Sequence, residues 1–116
     1  MISFKCVNIA SKDSKALADF YRAIGAPASV EGEDYDGWNI GDLGNGGTVC
    51  VWNEENWGKS TAGYITVVFE TDDLSKTYED IKSNGINIDP PRKADWGGEE
   101  LVFNDPDGNI VMFLQR

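Results

Sequence analysis

Histidine is missing from this chain altogether. That removes the side chain most often used as a general base or metal ligand near neutral pH, and with it every Ser-His or Cys-His nucleophile pair. Cysteine is scarce, with only Cys6 and Cys50, too few for the disulfide framework that staples small secreted domains. Basic residues are short as well: ten Lys and Arg stand against twenty Asp and Glu, a net charge of −10. Nucleic-acid phosphates would be repelled by such a surface, so no nucleic-acid partner is expected. No apolar run approaches the length of a membrane span, so no membrane partner is expected. The basic-then-apolar layout of a signal peptide is also lacking, which gives a cytoplasmic expectation. No glycine-rich loop joins a strand to a helix in the manner of a phosphate cradle. The glycine-rich run from Gly44 to Gly47 joins two predicted strands and reads as a hairpin loop.

What is present fits one domain. At 116 residues, with 41% hydrophobic and 26% charged residues, the chain is long enough for one core and too short for two independent ones. Residues 2 to 10 read as a strand. Asp13 then offers a capping carboxylate, and Ala16, Leu17, Phe20, Tyr21 and Ile24 fall on one helical face. Gly25 ends that helix, with Pro27 just beyond. An acidic turn region (Glu31, Glu33, Asp34, Asp36) precedes strands at 37–42 and 48–53. Residues 54 to 62 are polar and read as a linker.

The pattern then starts again. Residues 64 to 71 read as a strand, Asp72 and Asp73 open a helix, and Leu74, Tyr78 and Ile81 give its buried face. A shift of sixty places Asp13 on Asp73, Asp19 on Glu79, Arg22 on Lys82 and Gly25 on Gly85. Near the ends the shift is sixty-two, placing Val49 on Val111 and Cys50 on Met112. A repeat of this length with one βαβββ unit per copy is a duplication. The predicted fold is α+β, with module one at 1–57, a linker at 58–61 and module two at 62–116.

The second copy ends in a hairpin. Asp105-Pro106-Asp107-Gly108 places Asp, Pro and Gly where a type I turn wants them. The strand after it is apolar on both faces, with Ile110, Met112 and Leu114 on one side and Val111 and Phe113 on the other, so both sides should be covered.

This closing stretch, F-x-DPDGN followed by an apolar strand, resembles the C-terminal signature of the vicinal oxygen chelate superfamily. That group includes glyoxalase I, the extradiol dioxygenases and the bleomycin resistance proteins. The segment from Ser11 to Gly25 resembles the first-helix pattern of the same group, and the paired βαβββ modules extend the likeness over nearly the whole chain. The resemblance implies two sheets curled around a shared cavity, and a homodimer, since members commonly pair modules between subunits. It also implies four metal-ligand positions, which fall here on Cys6, Cys50, Thr66 and Met112. Enzymes of the group carry His, Gln and Glu there, because a divalent metal activating water or an enediolate wants nitrogen and oxygen ligands. This chain offers neither imidazole nor carboxylate at those positions, so no metal, no cofactor and no catalytic residue is expected. The cysteines keep three readings: free thiols filling space, a disulfide between neighbouring strands, or, with Met112, a soft-metal site.

A lined pocket is the remaining expectation. Strand alternation puts Phe4, Cys6 and Asn8 on one face with Thr48, Cys50 and Trp52. The second module adds Tyr64, Thr66, Val68, Ile110, Met112 and Leu114. Four tryptophans, at positions 38, 52, 57 and 96, lie in or beside loops and strand ends, where their faces can stack on flat rings or attract cations. The predicted ligand set is therefore Phe4, Cys6, Asn8, Trp38, Cys50, Trp52, Tyr64, Thr66, Trp96, Met112 and Leu114. The expected function is non-catalytic binding of an aromatic small molecule, with cations favoured by the net charge. The alternative is a metal-dependent lyase or dioxygenase of the same superfamily with a displaced site, held by carboxylates such as Glu54, Glu70 or Glu99.

Overall fold

A computed structural model describes residues 1–41, 48–57 and 59–115. The elements run β1 (Cys6–Ser11), α1 (Ser14–Ala23), β2 (Ala28–Glu31), β3 (Asp34–Ile40), β4 (Thr48–Asn53), α2 (Glu54–Trp57), β5 (Thr66–Glu70), α3 (Leu74–Ser83), β6 (Arg92–Lys93), β7 (Glu99–Asn104) and β8 (Ile110–Gln115). They form two four-stranded mixed sheets, ordered β1-β4-β3-β2 and β5-β8-β7-β6. The second order repeats the first, and each sheet holds one parallel pair: Asn8 opposite Cys50 in one, Val68 opposite Met112 in the other. The predicted α+β fold with two βαβββ modules is the observed one, with the sheets left open rather than closed on each other.

The helices repeat in detail because their caps do. Asp13 accepts a hydrogen bond from the Ala16 N–H and Asp73 one from the Lys76 N–H, both at 3.0 Å. A carboxylate at this position satisfies an orphan donor of the first turn. At the other end Gly25 and Gly85 take φ of 83° and 84°, the left-handed conformation that lets the chain turn back.

Period-two alternation then decides which face of each sheet is buried. On the first sheet Ile9, Val51, Trp38 and Ile40 face α1. On the second, Val67, Leu101, Val111 and Phe113 face inward, with α3 packed over β7 and β8. Phe20 and Tyr21 of α1 meet Phe103 and Phe69 edge to face, so aromatic rings join the modules at the covered faces. The opposite faces remain open.

Four local expectations are corrected. The first strand begins at Cys6 rather than residue 2, because its parallel ladder with β4 starts at Cys6 opposite Thr48 and a strand lasts only as long as its partner. Ala16 is exposed; Ser14 and Ala18 share the buried stripe of α1 with Leu17 and Tyr21 instead. The acidic region runs from the end of β2 at Glu31 into β3, which takes in Asp34 and Asp36, and the polar stretch after β4 opens with the short helix α2. The glycine-rich hairpin loop lies outside the described residues.

Candidate functional site

The open face of the first sheet brings together Cys6 and Asn8 of β1, Asn39 of β3, and Thr48, Cys50 and Trp52 of β4. Two asparagines organise it. Asn8 Oδ1 accepts from the Trp52 indole N–H at 3.0 Å and from the Cys6 thiol at 3.5 Å. Asn39 Oδ1 accepts from the Thr48 hydroxyl at 3.1 Å and from the Cys50 thiol at 3.0 Å. The Trp52 ring lies against Gly37, where an added Cβ would come within 2.9 Å of it. Gly37 also has φ of 107°, so no other residue suits both the backbone and the ring. Trp57, at the end of α2, stacks on Trp52 with centroids 6.1 Å apart and planes 15° from parallel. The result is a half-buried aromatic wall beside two amides.

Other predicted residues are placed differently. Trp38 does not join this face. It is 1% exposed on the helix side of β3, with its indole N–H donating to the Ser14 carbonyl and hydroxyl oxygens. The Ser14 hydroxyl in turn donates to the Tyr35 carbonyl. Parity held the signal, because Trp38 shares a face with Ile40 while Gly37 and Asn39 take the other. Phe4 precedes β1 and lines a separate apolar groove of about 320 Å³ with Val7, Pro27, Val67 and Val68. Tyr64 precedes β5 and is 88% exposed. Trp96 lies in the turn between β6 and β7; its ring covers Gly98, and its indole N–H reaches Glu100 at 3.5 Å.

Thr66, Met112 and Leu114 lie on the open face of the second sheet, with Val68, Ile110 and Val102. Val68 is 52% and Ile110 40% exposed, so within one chain this apolar face lacks the cover its sequence implies. Asn39 and Trp57 are the functional candidates that the predicted set omitted. Asn39 is legible from strand parity, whereas Trp57 depends on α2, which has no strong sequence signal.

The four positions that the family resemblance marks for metal ligands do not fit one here. Their donors are two thiols, a hydroxyl and a thioether, and burial beside Cys6 pushes the Cys50 thiol above its usual range, away from the ligating thiolate. Both cysteines are free. Among the described residues no three His, Cys, Asp or Glu side chains gather as a ligand cluster.

The DPDGN turn is a joint rather than part of this face. Asp105 Oδ1 accepts from the backbone N–H groups of Asp107 and Asn109, at 2.9 and 3.0 Å. Its Oδ2 accepts from the Tyr21 hydroxyl at 2.8 Å and the Asn109 amide at 3.2 Å. Burial first, and then the Asp105 charge, raise the Tyr21 hydroxyl far above the usual tyrosine range. Asn109, fully buried, accepts from the Gly63 and Ile65 N–H groups just before β5. The turn therefore locks its own hairpin, the β5 edge and α1 of the other module together.

Asp107 beside it is raised above its ordinary 3.8 chiefly by burial, with the Ser11 hydroxyl pulling the other way. A carboxyl raised on folding costs stability as pH climbs from 3.8 through the higher folded value. In metal-free buffer, Asp107→Asn is expected to raise the urea midpoint at neutral pH, and the gain should vanish below pH 3.8, where the wild-type group is neutral in both states.

Comparison with known proteins agrees with this architecture. The Glyoxalase/Bleomycin resistance protein/Dioxygenase superfamily model matches residues 3–113. A bleomycin resistance protein of Klebsiella pneumoniae is 27% identical over 117 residues, covering 94% of this chain and 89% of that one. The uncharacterized protein YetH of Bacillus subtilis is 38% identical over 51 residues, which are 43% of this chain and 42% of that protein. Among solved structures, TnmS3, an antibiotic binding protein from Streptomyces sp. CB03234, shares the fold with a TM-score of 0.73 and 18% identity, over 99% of this chain and 96% of that one.

Proposed function

Because the chain belongs to the glyoxalase/bleomycin resistance protein/dioxygenase superfamily, we propose that it binds an aromatic small molecule and holds it without transforming it. The observation that carries this reading is the stacked Trp52–Trp57 wall beside the Asn8 and Asn39 amides. Flat tryptophan faces take aromatic rings by stacking and cations by their negative faces, and the nearby amides fix orientation. The net charge of −10 favours a cationic ligand. The bleomycin resistance relative and the antibiotic-binding neighbour point the same way. The rival lyase or dioxygenase reading gains no support from the donor set at Cys6, Cys50, Thr66 and Met112.

We further propose a homodimer in which the open face of one chain's first sheet meets the partner's second sheet. Val68, Ile110, Met112 and Leu114 would then supply the apolar roof over the aromatic wall. Light scattering at high concentration tests this; a clean monomer of 12.7 kDa would end the proposal.

The binding reading is tested by titrating a panel of cationic aromatic compounds while following tryptophan emission and melting temperature. At least one compound is expected to change both. Trp52→Ala should weaken its binding about tenfold, since each ring contact contributes about 0.5–2 kcal/mol, whereas Trp96→Ala should leave it unchanged. If no member of a broad panel changes either signal, the reading fails.

A further inference from the structure

Two carboxylate oxygens among the described residues are fully buried and accept no hydrogen bond from the protein: Asp107 Oδ2 and Glu54 Oε2. They come from different modules and both lie near the carboxyl ends of β1 and β4. Asp107, third in the hairpin turn, is only 9% exposed and lies beside the hydroxyl of Ser11, itself fully buried at the end of β1 and accepting from the Asp13 N–H at 3.2 Å. Ser11 lies opposite Asn53 in the parallel ladder, and Glu54 follows Asn53 as the first residue of α2. The charge of Glu54 is felt at Asp107.

Such oxygens are rarely kept without a partner, and two together repel. The neighbouring protein groups do not supply one. Asp105 is itself an acceptor, with its four hydrogen bonds already made. Lys12 acts on Asp107 only through its charge, from an exposed position.

We propose that Asp107 and Glu54, with the Ser11 hydroxyl, form a site for one hard divalent cation, with calcium as the reference ion. Carboxylate and hydroxyl oxygens are the donors such ions take, and two carboxylates place the dissociation constant at about 10⁻⁴–10⁻³ M. The strongly acidic chain draws the ion in. Bound there, the cation ties the hairpin of the second module to the end of the first sheet. Glu54 also opens the short helix that ends in Trp57, so the ion steadies one wall of the ligand face. The site stands on its own geometry and does not depend on the ligand reading.

The test takes the full chain, treated with chelator and dialysed, and follows thermal unfolding with calcium, magnesium or manganese chloride at millimolar concentration. Sodium chloride of matched ionic strength is the control. At least one divalent ion is expected to raise the melting temperature by about 5–10 °C. Glu54→Gln and Asp107→Asn, each checked for folding by circular dichroism, should lose that rise while melting no lower than the wild type in chelator. If Asp107→Asn does not fold, Glu54→Gln decides alone. No rise with any of the three ions, or a full rise retained by a folded variant, overturns the proposal.

Discussion

Asp105→Ala is expected to destabilise the protein by about 3–5 kcal/mol, the range for breaking a buried hydrogen-bonded network. Removing the carboxylate strands the Asp107 and Asn109 backbone N–H groups, the Asn109 amide and the Tyr21 hydroxyl. Domains of this size are stable by only about 5–15 kcal/mol, so one substitution should remove a large share of that margin. Tyr21→Phe removes one of the four bonds and should cost about 1–2 kcal/mol. Urea denaturation of the two variants and their double mutant separates the joint from the turn. A loss below about 1 kcal/mol for Asp105→Ala would show that the turn is not what holds the modules together.

Trp38→Ala should cost a similar amount, about 3–5 kcal/mol, for a large buried side chain replaced by a methyl group. The cavity would open between α1 and the first sheet, and the Ser14 hydroxyl would lose its indole donor. The folded fraction should still bind ligand as the wild type does, because Trp38 faces away from the open side. Trp52→Ala should show the reverse, with weakened binding and a smaller loss of stability than Trp38→Ala, since Trp52 is only partly buried. Calorimetric unfolding and ligand titration on the same two variants distinguish core tryptophan from site tryptophan. Weakened ligand binding by folded Trp38→Ala would contradict the assignment.

That contrast also marks the limit of the sequence reading. The duplication was legible because Asp13 and Asp73 cap, and Gly25 and Gly85 terminate, through local chemistry that needs no tertiary partner. The closing hairpin was legible for the same reason. The wider role of Asp105 was not, since its partner Tyr21 lies 84 residues away. Trp38 reads like a loop-edge tryptophan because a strand's face follows from its register, and a slip of one residue reverses every side chain. Cys6, Asn8, Cys50 and Trp52 follow from alternation along β1 and β4, and the structure brings them together. Phe4 and Tyr64 fall outside the strands that the apolar pattern extended to include them. Trp57 and Glu54 lie in a four-residue helix too short to leave a periodicity.

The central claim is that the Trp52–Trp57 wall and the Asn8 and Asn39 amides form a small-molecule site. Its most direct test is a ¹H–¹⁵N correlation spectrum of the labelled protein, recorded while a cationic aromatic compound is added. Indole N–H and asparagine side-chain amide signals report on these groups individually. Saturable shifts of the Trp52 and Trp57 indoles and the Asn8 and Asn39 amides are expected, with the Trp38 indole unmoved. Saturable shifts confined to the groove beside Phe4, or to the recess lined by Ala23, Thr77 and Asn84, would contradict it.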